Sequence, residues 1–153
     1  MSERVAATDT RFLSAAGTLR KLEEICGRPP LASVTDCEPI GQKALLDLLV
    51  IAPCTGNTLS KIALGITDSS VTMAYKAHRR NNRPVLIGLS SNDGLSGSAW
   101  NLGRLLSTKG VFFVPFGQDD PEKKEASLVC DFTKLTGAAR AALDGVQLQP
   151  VLL

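Results

Sequence analysis

The residues best suited to chemistry lie between an apolar run, residues 45–52, and an amphipathic segment. They are residues 53–58, with the sequence PCTGNT. A helix that starts here offers free N–H groups and the positive end of its dipole to a ligand. The side-chain amide of Asn57 can donate and accept hydrogen bonds at once, so it could recognise a carboxylate or the edge of a flavin ring. Asn57 and Thr58 are also suited to capping the helix, which is a purely structural alternative.

Two further segments have the same character. Residues 90–98 (SSNDGLSGS) and 115–121 (PFGQDDP) overlap or follow the ends of apolar runs and are rich in small polar residues and turn formers. In open α/β sheets the carboxyl ends of parallel strands meet at one edge, where ligands bind. Ordinary turns need the same residue types, but three such segments at one edge favour a ligand site. We interpret the adjacent Asp119 and Asp120 as solvated side chains rather than as a metal site.

Cys54 and His78 are the other two residues with reactive side chains. A thiol at a helix start can act as a nucleophile, but no general base lies near Cys54 in the sequence, so an inert, half-buried thiol is predicted. The four cysteines are irregularly spaced, which favours reduced thiols over a metal site or disulfides. His78 lies in KAHRRNNR (residues 76–83), whose cationic side chains could hold a phosphate or satisfy carbonyl groups at a helix end. We prefer the second role, with His78 structural.

The composition excludes several classes of function. Seventeen basic and 15 acidic residues give a formal net charge of +2, too balanced to indicate nucleic acid or an anionic membrane as the main partner. No apolar run has membrane-spanning length and no signal peptide is recognisable, so a cytoplasmic protein is predicted.

Neither G-x-G-x-x-G nor G-x-x-x-x-G-K-[ST] occurs, which argues against the usual dinucleotide motif and a P-loop. The length predicts one domain over residues 1–153.

The apolar pattern predicts the elements that must position these residues. Nearly continuous apolar runs, typical of strands with helices on both faces, occur at residues 45–52, 84–90 and 110–116. Helical spacing of apolar residues predicts three helices between them, one after Asn57 or Thr58, one from Ser70 to before Pro84, and one from Ser98 to Lys109. The order predicts an α/β fold with a doubly wound parallel sheet, although three strands are few for such a sheet.

The flanking regions carry weaker signals. Residues 14–26 predict a helix with Leu19, Leu22 and Ile25 on its inner face and Gly27 after its end. Residues 27–43, with three prolines, predict a surface crossing. Residues 117–127 predict a charged loop, and a last helix is predicted over residues 136–143.

The segment after the first strand also carries a family resemblance. PCTGNTLSKIALGITDS resembles the P-A-S-A-N-T-x-x-K-x-A-x-G-x-x-D-N signature of the flavoproteins that include the FMN-dependent cysteine decarboxylases. The residues in register are Pro53, Asn57, Thr58, Lys61, Ala63, Gly65 and Asp68. In PVLIGLSSND, Asn92 matches the asparagine of the family's P-A-M-N segment, and Ser90 matches the alanine two residues before it. The resemblance implies a three-layer, flavodoxin-like or Rossmann-like sheet with an FMN site.

A longer series of matches resembles one branch of that family. In order, the matching segments are TDTRF, EPIGQK, APCTGNTLSK, TDSSVTMAYKAHRRNNRPVLIGLSSND, NLGRLLSTKGVFFVPFGQDDP and QLQPVLL, over residues 8–153. The branch supplies a B subunit that works beside a nucleotide-dependent A subunit in spore-forming bacteria. The resemblance implies an oxidoreductase subunit that takes part in the NAD(P)-dependent dehydrogenation of a dihydrodipicolinate-derived precursor to dipicolinate. It also implies NAD(P) bound through the A subunit, a homo-oligomer, and a place in the mother-cell cytoplasm during sporulation.

The resemblance assigns roles to residues at the predicted strand ends. Thr55, Gly56, Asn57, Thr58 and Ser90 would line the flavin, while Asn57 and Asn92 would face a carboxylate of the dicarboxylate substrate. It assigns no catalytic residue and no metal ligand.

Three family features have no counterpart in this sequence. These are an opening strand, phosphate loop and helix before residues 8–12, an early-strand histidine, and a flap cysteine, since Cys130 lies beyond the loop at 117–127. Because the phosphate loop holds the FMN phosphate in relatives, this polypeptide alone is expected to bind FMN weakly or not at all. An N-terminal truncation, from a shortened gene model or a natural copy, is the leading explanation, and completion by a partner's strand is the alternative. The unpaired edge predicts poor solubility or an expanded state.

Three functional hypotheses remain open from the sequence. The first is the oxidoreductase subunit, the second is an FMN-dependent decarboxylase of a cysteine-derived substrate, and the third is a non-catalytic assembly subunit. The absent histidine and flap cysteine disfavour the second.

Overall fold

The computed structural model describes all residues from Met1 to Leu153. Its helices are α1 (Glu3–Ala7), α2 (Ala15–Cys26), α3 (Val34–Cys37), α4 (Pro39–Gln42), α5 (Gly56–Leu64), α6 (Ser70–Arg79), α7 (Ala99–Leu106) and α8 (Leu135–Leu143). Its strands are β1 (Leu49–Cys54), β2 (Val85–Ser91), β3 (Val111–Phe113), β4 (Phe116–Gln118) and β5 (Leu128–Cys130). No helix combines the length and the apolar character that a membrane crossing requires.

The sheet is centred on β2, which pairs in parallel with β1 and β3. At its carboxyl end β2 also pairs antiparallel with β5, through Ser90 and Ser91, and β5 pairs antiparallel with β4. Helices flank this mixed sheet, so the predicted α/β class with parallel strands is confirmed. The antiparallel pair was not predicted, because its two strands have only three residues each.

The core surrounds β2, where Val85, Leu86, Ile87 and Leu89 are fully buried. Buried residues of α5, α7, α8 and the neighbouring strands complete one cluster of 19 side chains. A nearly continuous apolar sequence is what a strand covered on both faces requires. The position of β2 therefore follows directly from its sequence.

Two predicted strand boundaries are wrong for identifiable reasons. The first strand begins at Leu49 rather than Leu45. The Arg83 guanidinium donates hydrogen bonds to the carbonyls of Ala44 (3.0 Å) and Leu46 (2.5 Å), so these groups are not used in the sheet. The third apolar run, residues 110–116, does not form one strand. It is interrupted at Pro115, which lacks an N–H group to donate to a neighbouring strand. Beyond it, Phe116 changes partner and donates its N–H to the carbonyl of Val151 at 3.0 Å.

The N-terminal third differs from its predicted form. Helix α2 forms where it was predicted, with Gly27 after its end, but its predicted inner face is not buried: Leu19 and Leu22 are half-buried and Ile25 is 71% exposed. The predicted surface crossing contains α3 and α4, which pack on α6. Cys37 and Ile40 form a second small core there. Local propensity did not reveal these helices because four-residue helices depend on tertiary packing.

The basic segment at residues 76–83 lies at the amino end of β2. His78 is fully buried, its Nε2 lies 2.9 Å from the Pro84 carbonyl, and burial lowers its pKa. The Arg79 guanidinium donates to the carbonyls of Arg83 and Lys109 at 2.9 and 2.8 Å. These contacts support the structural role predicted for His78 and its neighbours.

Candidate functional site

Parallel pairing of β1 with β2 brings two of the three predicted loop segments together. Cys54 at the end of β1 is in register with Leu89 of β2, so the residues that follow each strand are neighbours in space. We call residues 55–58 and 90–92 the strand-end edge. It contains every residue to which the family resemblance assigns a role, and those roles stay predictions.

Gly56 lies in close contact with the residues that end and follow β2. A methyl group added at Gly56 would lie 2.5 Å from Ser91 Oγ and 2.7 Å from Ser98 Oγ, and would also collide with Asp93 Oδ1. Only a residue without a Cβ permits this contact. The first turn of α5 is therefore pressed directly against the loop that follows β2.

The first turn of α5 is capped by Thr55 rather than by the predicted Asn57 or Thr58. Thr55 Oγ1 accepts a long bond from the Thr58 N–H at 3.5 Å, and the Thr55 carbonyl accepts from the Leu59 N–H at 2.9 Å. The N–H groups of Gly56 and Asn57 have no partner within the helix. Since Asn57 is not needed as the cap and is exposed, its amide is free for a ligand.

The β2 side of the edge supplies Ser90 and Asn92. Ser90 is half-buried and pairs with Val129 of β5, while Asn92 is exposed in the turn that follows the strand. Two amide side chains, Asn57 and Asn92, thus stand on adjoining segments of one edge. Amides at such positions can bind a carboxylate or the carbonyl and N–H groups of a heterocycle.

Asp93 is a site residue that the sequence did not reveal. Its carboxylate accepts hydrogen bonds from the hydroxyls of Ser91 and Ser98, the latter at 3.0 Å to each oxygen. The Ser91 bond, followed by the Ser98 bond, lowers the pKa of Asp93, so the side chain is ionised at neutral pH. The signal was an aspartate between two serines in a turn, which is too common to single out. Ser98 immediately precedes α7, but its hydroxyl donates to Asp93 and does not cap the helix.

The third predicted segment does not contribute an open loop. Pro115 and Phe116 are buried, and residues 116–118 form β4. Asp119 pairs with Lys124 at 2.5 Å, and Asp120 accepts from the Lys123 N–H at 3.3 Å. The carboxylates of both aspartates thus bond to residues of the same charged loop.

Three residues of the family signature lie at or beyond the C-terminal end of α5. Lys61 and Asp68 form an ion pair at 2.8 Å, and Gly65 ends the helix with a φ of +74°. This left-handed conformation favours glycine. These positions stabilise the helix end, whereas Asn57 and Thr58 lie at the strand-end edge.

The Cys54 thiol is unsuited to nucleophilic chemistry. It is completely buried, and burial raises its pKa to about 12. Its only hydrogen-bond partner is the carbonyl of Thr55, at 3.8 Å. The burial supports the predicted inert thiol, although Cys54 is fully rather than half-buried.

We expect iodoacetamide to modify only Cys26 in the native protein, because Cys26 is exposed and the other three thiols are buried. After denaturation all four cysteines should react, which mass spectrometry of the adducts measures. Rapid native modification of Cys54 would contradict its burial and restore a thiol mechanism.

The strand-end edge fits the ring portion of a flavin better than its phosphate. Free N–H groups at the start of α5 and the Asn57, Thr58 and Ser90 side chains provide the donors and acceptors that a flavin's polar edge needs. No cationic side chain lies within residues 55–58 or 90–92, and the arginines at residues 79 and 83 lie at the opposite end of β2. The carboxylate of Asp93, beside Gly56, also disfavours a second negative charge there.

Comparison with known proteins identifies a family and several relatives. The flavoprotein family model matches residues 12–143. The B subunit of dipicolinate synthase from Bacillus subtilis strain 168 is 49% identical over 149 residues, which cover 97% of this chain and 74% of that relative.

Two solved structures resemble the fold. That of the B subunit of dipicolinate synthase from Bacillus halodurans C has a TM-score of 0.88 and 45% identity, covering 95% of this chain and 75% of the other. The FMN-dependent cysteine decarboxylase SpaF has a TM-score of 0.61 and 23% identity, covering 83% and 71%. The second likeness is one of fold alone.

Proposed function

The chain belongs to the flavoprotein family, and from this premise we propose that it acts as the B subunit of a dipicolinate synthase. The observation that carries the proposal is 49% identity to such a protein along 97% of the chain. The position of Asn57 and Asn92 on one edge supports it, because this edge suits a planar heterocycle with a carboxylate.

The proposed reaction is the dehydrogenation of a dihydrodipicolinate-derived ring to dipicolinate in the mother cell during sporulation. Aromatisation removes a hydride equivalent and a proton from the ring. NAD(P)+ held by the A subunit would be the hydride acceptor, and the proton would pass to solvent or to a base. This chain's part is to bind and orient the substrate, since no side chain of the strand-end edge is a suitable nucleophile or base at neutral pH.

Six of the seven residues of the edge, all but Ser91, have a proposed binding role. Asn57 and Asn92 donate their amide N–H groups to a substrate carboxylate. Thr55, Thr58 and Ser90, with the backbone of Gly56, line the flavin ring. FMN, when bound, supplies reversible two-electron redox chemistry at this edge.

Replacing either amide tests this role. In a complex reconstituted with an A subunit, we expect N57A and N92A each to lower kcat/KM for dipicolinate formation by about tenfold or more, because a lost hydrogen bond to a charged group is worth about 1.5–3 kcal/mol. Lanthanide luminescence of dipicolinate provides the rate, and gel filtration reports whether the complex remains intact.

Asn82→Gly is a suitable control, since Asn82 is an exposed amide near the opposite end of β2 with a φ of +55° that glycine accepts. Unchanged turnover of N57A and N92A in an intact complex would overturn the binding role and favour an assembly subunit. Release of CO2 from a cysteine-derived substrate would instead favour a decarboxylase.

A further inference from the structure

Asp93 joins the two segments of the strand-end edge, and its role rests on the proposed function of that edge. Its carboxylate binds two hydroxyls that are themselves buried, with Ser98 1% and Ser91 7% exposed. Ser91 is the last residue of β2, and Ser98 immediately precedes α7. Asp93 therefore ties the end of a core strand to the start of a helix across the exposed turn.

The same three side chains form the surface on which α5 begins. A methyl group at Gly56 would collide with the carboxylate of Asp93 and with both serine hydroxyls. Asn57 is the next residue along α5, and Asn92 is the residue before Asp93. Beside the pairing of β1 with β2, the relative position of the two amides thus depends on the contact between Gly56 and the group of Ser91, Asp93 and Ser98.

The backbone of the turn alone accounts for only part of this arrangement. The Asp93 carbonyl accepts from the N–H groups of Ser96 and Ser98 at 3.0 and 3.1 Å, which closes the turn without the side chain. The carboxylate adds bonds beyond the turn, to Ser91 in β2 and to Ser98 at the start of α7. A residue that served only to close the turn would not need them.

We propose that Asp93 is a positioning residue that holds Asn57 and Asn92 at the separation that the bound ring requires. It touches neither ligand nor reacting atoms and acts through Ser91, Ser98 and Gly56. Small displacements of binding groups have large effects on affinity and rate, so one carboxylate can matter without contacting the ligand.

The test compares D93A and D93N with D36N. Asn at position 93 keeps one oxygen acceptor and should rescue part of the effect, whereas alanine keeps none. Asp36 is the matched control, because it accepts from the Ser33 N–H at 3.2 Å in the capping box of α3, a helix that packs on α6. Residue-resolved amide hydrogen exchange by NMR and a riboflavin titration, followed by flavin fluorescence, are measured on all variants.

In D93A we expect about tenfold faster exchange at Thr58 and Leu59 as well as in residues 92–98, with unchanged exchange in β2. The riboflavin dissociation constant should rise about tenfold in D93A, less in D93N and not in D36N. Exchange that accelerates only within residues 92–98, or an unchanged riboflavin affinity in D93A, would overturn the proposal. If the wild-type protein binds no flavin, the flavin part of the proposed function fails, and the exchange at Thr58 and Leu59 still decides the role of Asp93.

Discussion

Alanine at Gly56 is expected to abolish flavin binding at the strand-end edge and to lower the free energy of unfolding by about 1–3 kcal/mol. The added methyl group would sit 2.5 Å from Ser91 Oγ and 2.7 Å from Ser98 Oγ. Ser91 belongs to a core strand and both hydroxyls are tied to Asp93, so neither side chain can easily yield. The start of α5 must move instead, and it carries Thr55, Asn57 and Thr58 away from Asn92.

Gly103→Ala is the matched control for this substitution. Gly103 lies in α7, where an added methyl group would meet no atom within 4 Å. Because glycine is unfavourable inside a helix, this change should stabilise the protein by about 0.5–1 kcal/mol. Urea denaturation and riboflavin titration measure both variants. A Gly56→Ala protein with wild-type stability and wild-type riboflavin affinity would show that the contact with Ser91, Asp93 and Ser98 is not tight.

Alanine at Phe113 is expected to destabilise the fold by about 3–5 kcal/mol, a large part of the stability of a typical domain. Phe113 is completely buried at the end of β3, and its ring packs on Phe116 with centroids 5.9 Å apart. The Gln147 side chain fixes the local backbone, accepting from the Phe113 N–H and donating to its carbonyl, both at 2.7 Å. The surroundings cannot collapse freely into the space that the ring leaves.

The same substitution at Phe132 separates burial from the loss of a ring as such. Phe132 is 46% exposed, so Phe132→Ala should cost less than about 1.5 kcal/mol. Denaturant midpoints with unchanged m-values report the difference. Equal effects of the two substitutions would mean that Phe113 is not part of a tightly packed core.

The parallel strands and the helices between them could be predicted from the sequence, because the apolar pattern of each element lies within a few neighbouring residues. The run at residues 84–90 contains β2 almost entirely, and the helical spacing of Leu59, Ile62 and Ala63 places α5. The antiparallel pair β4 and β5 was missed because its short strands gain stability only from long-range partners such as Val151. Helices α3 and α4 were missed for a similar reason, since Cys37 and Ile40 become core residues only against α6.

For the site, residue type and order alone sufficed to place residues 55–58 and 90–92 at strand ends, because parallel strands with helical connections end at a common edge. The family resemblance added the candidate roles of Asn57 and Asn92. Only the tertiary structure decided three further features of the site. They are the residue that caps α5, the close approach of Gly56 to Ser91, and the central place of Asp93. The contact of Gly56 with Ser91 joins residues 35 positions apart in the chain and depends on the tertiary structure to within a few tenths of an ångström, which no local pattern encodes.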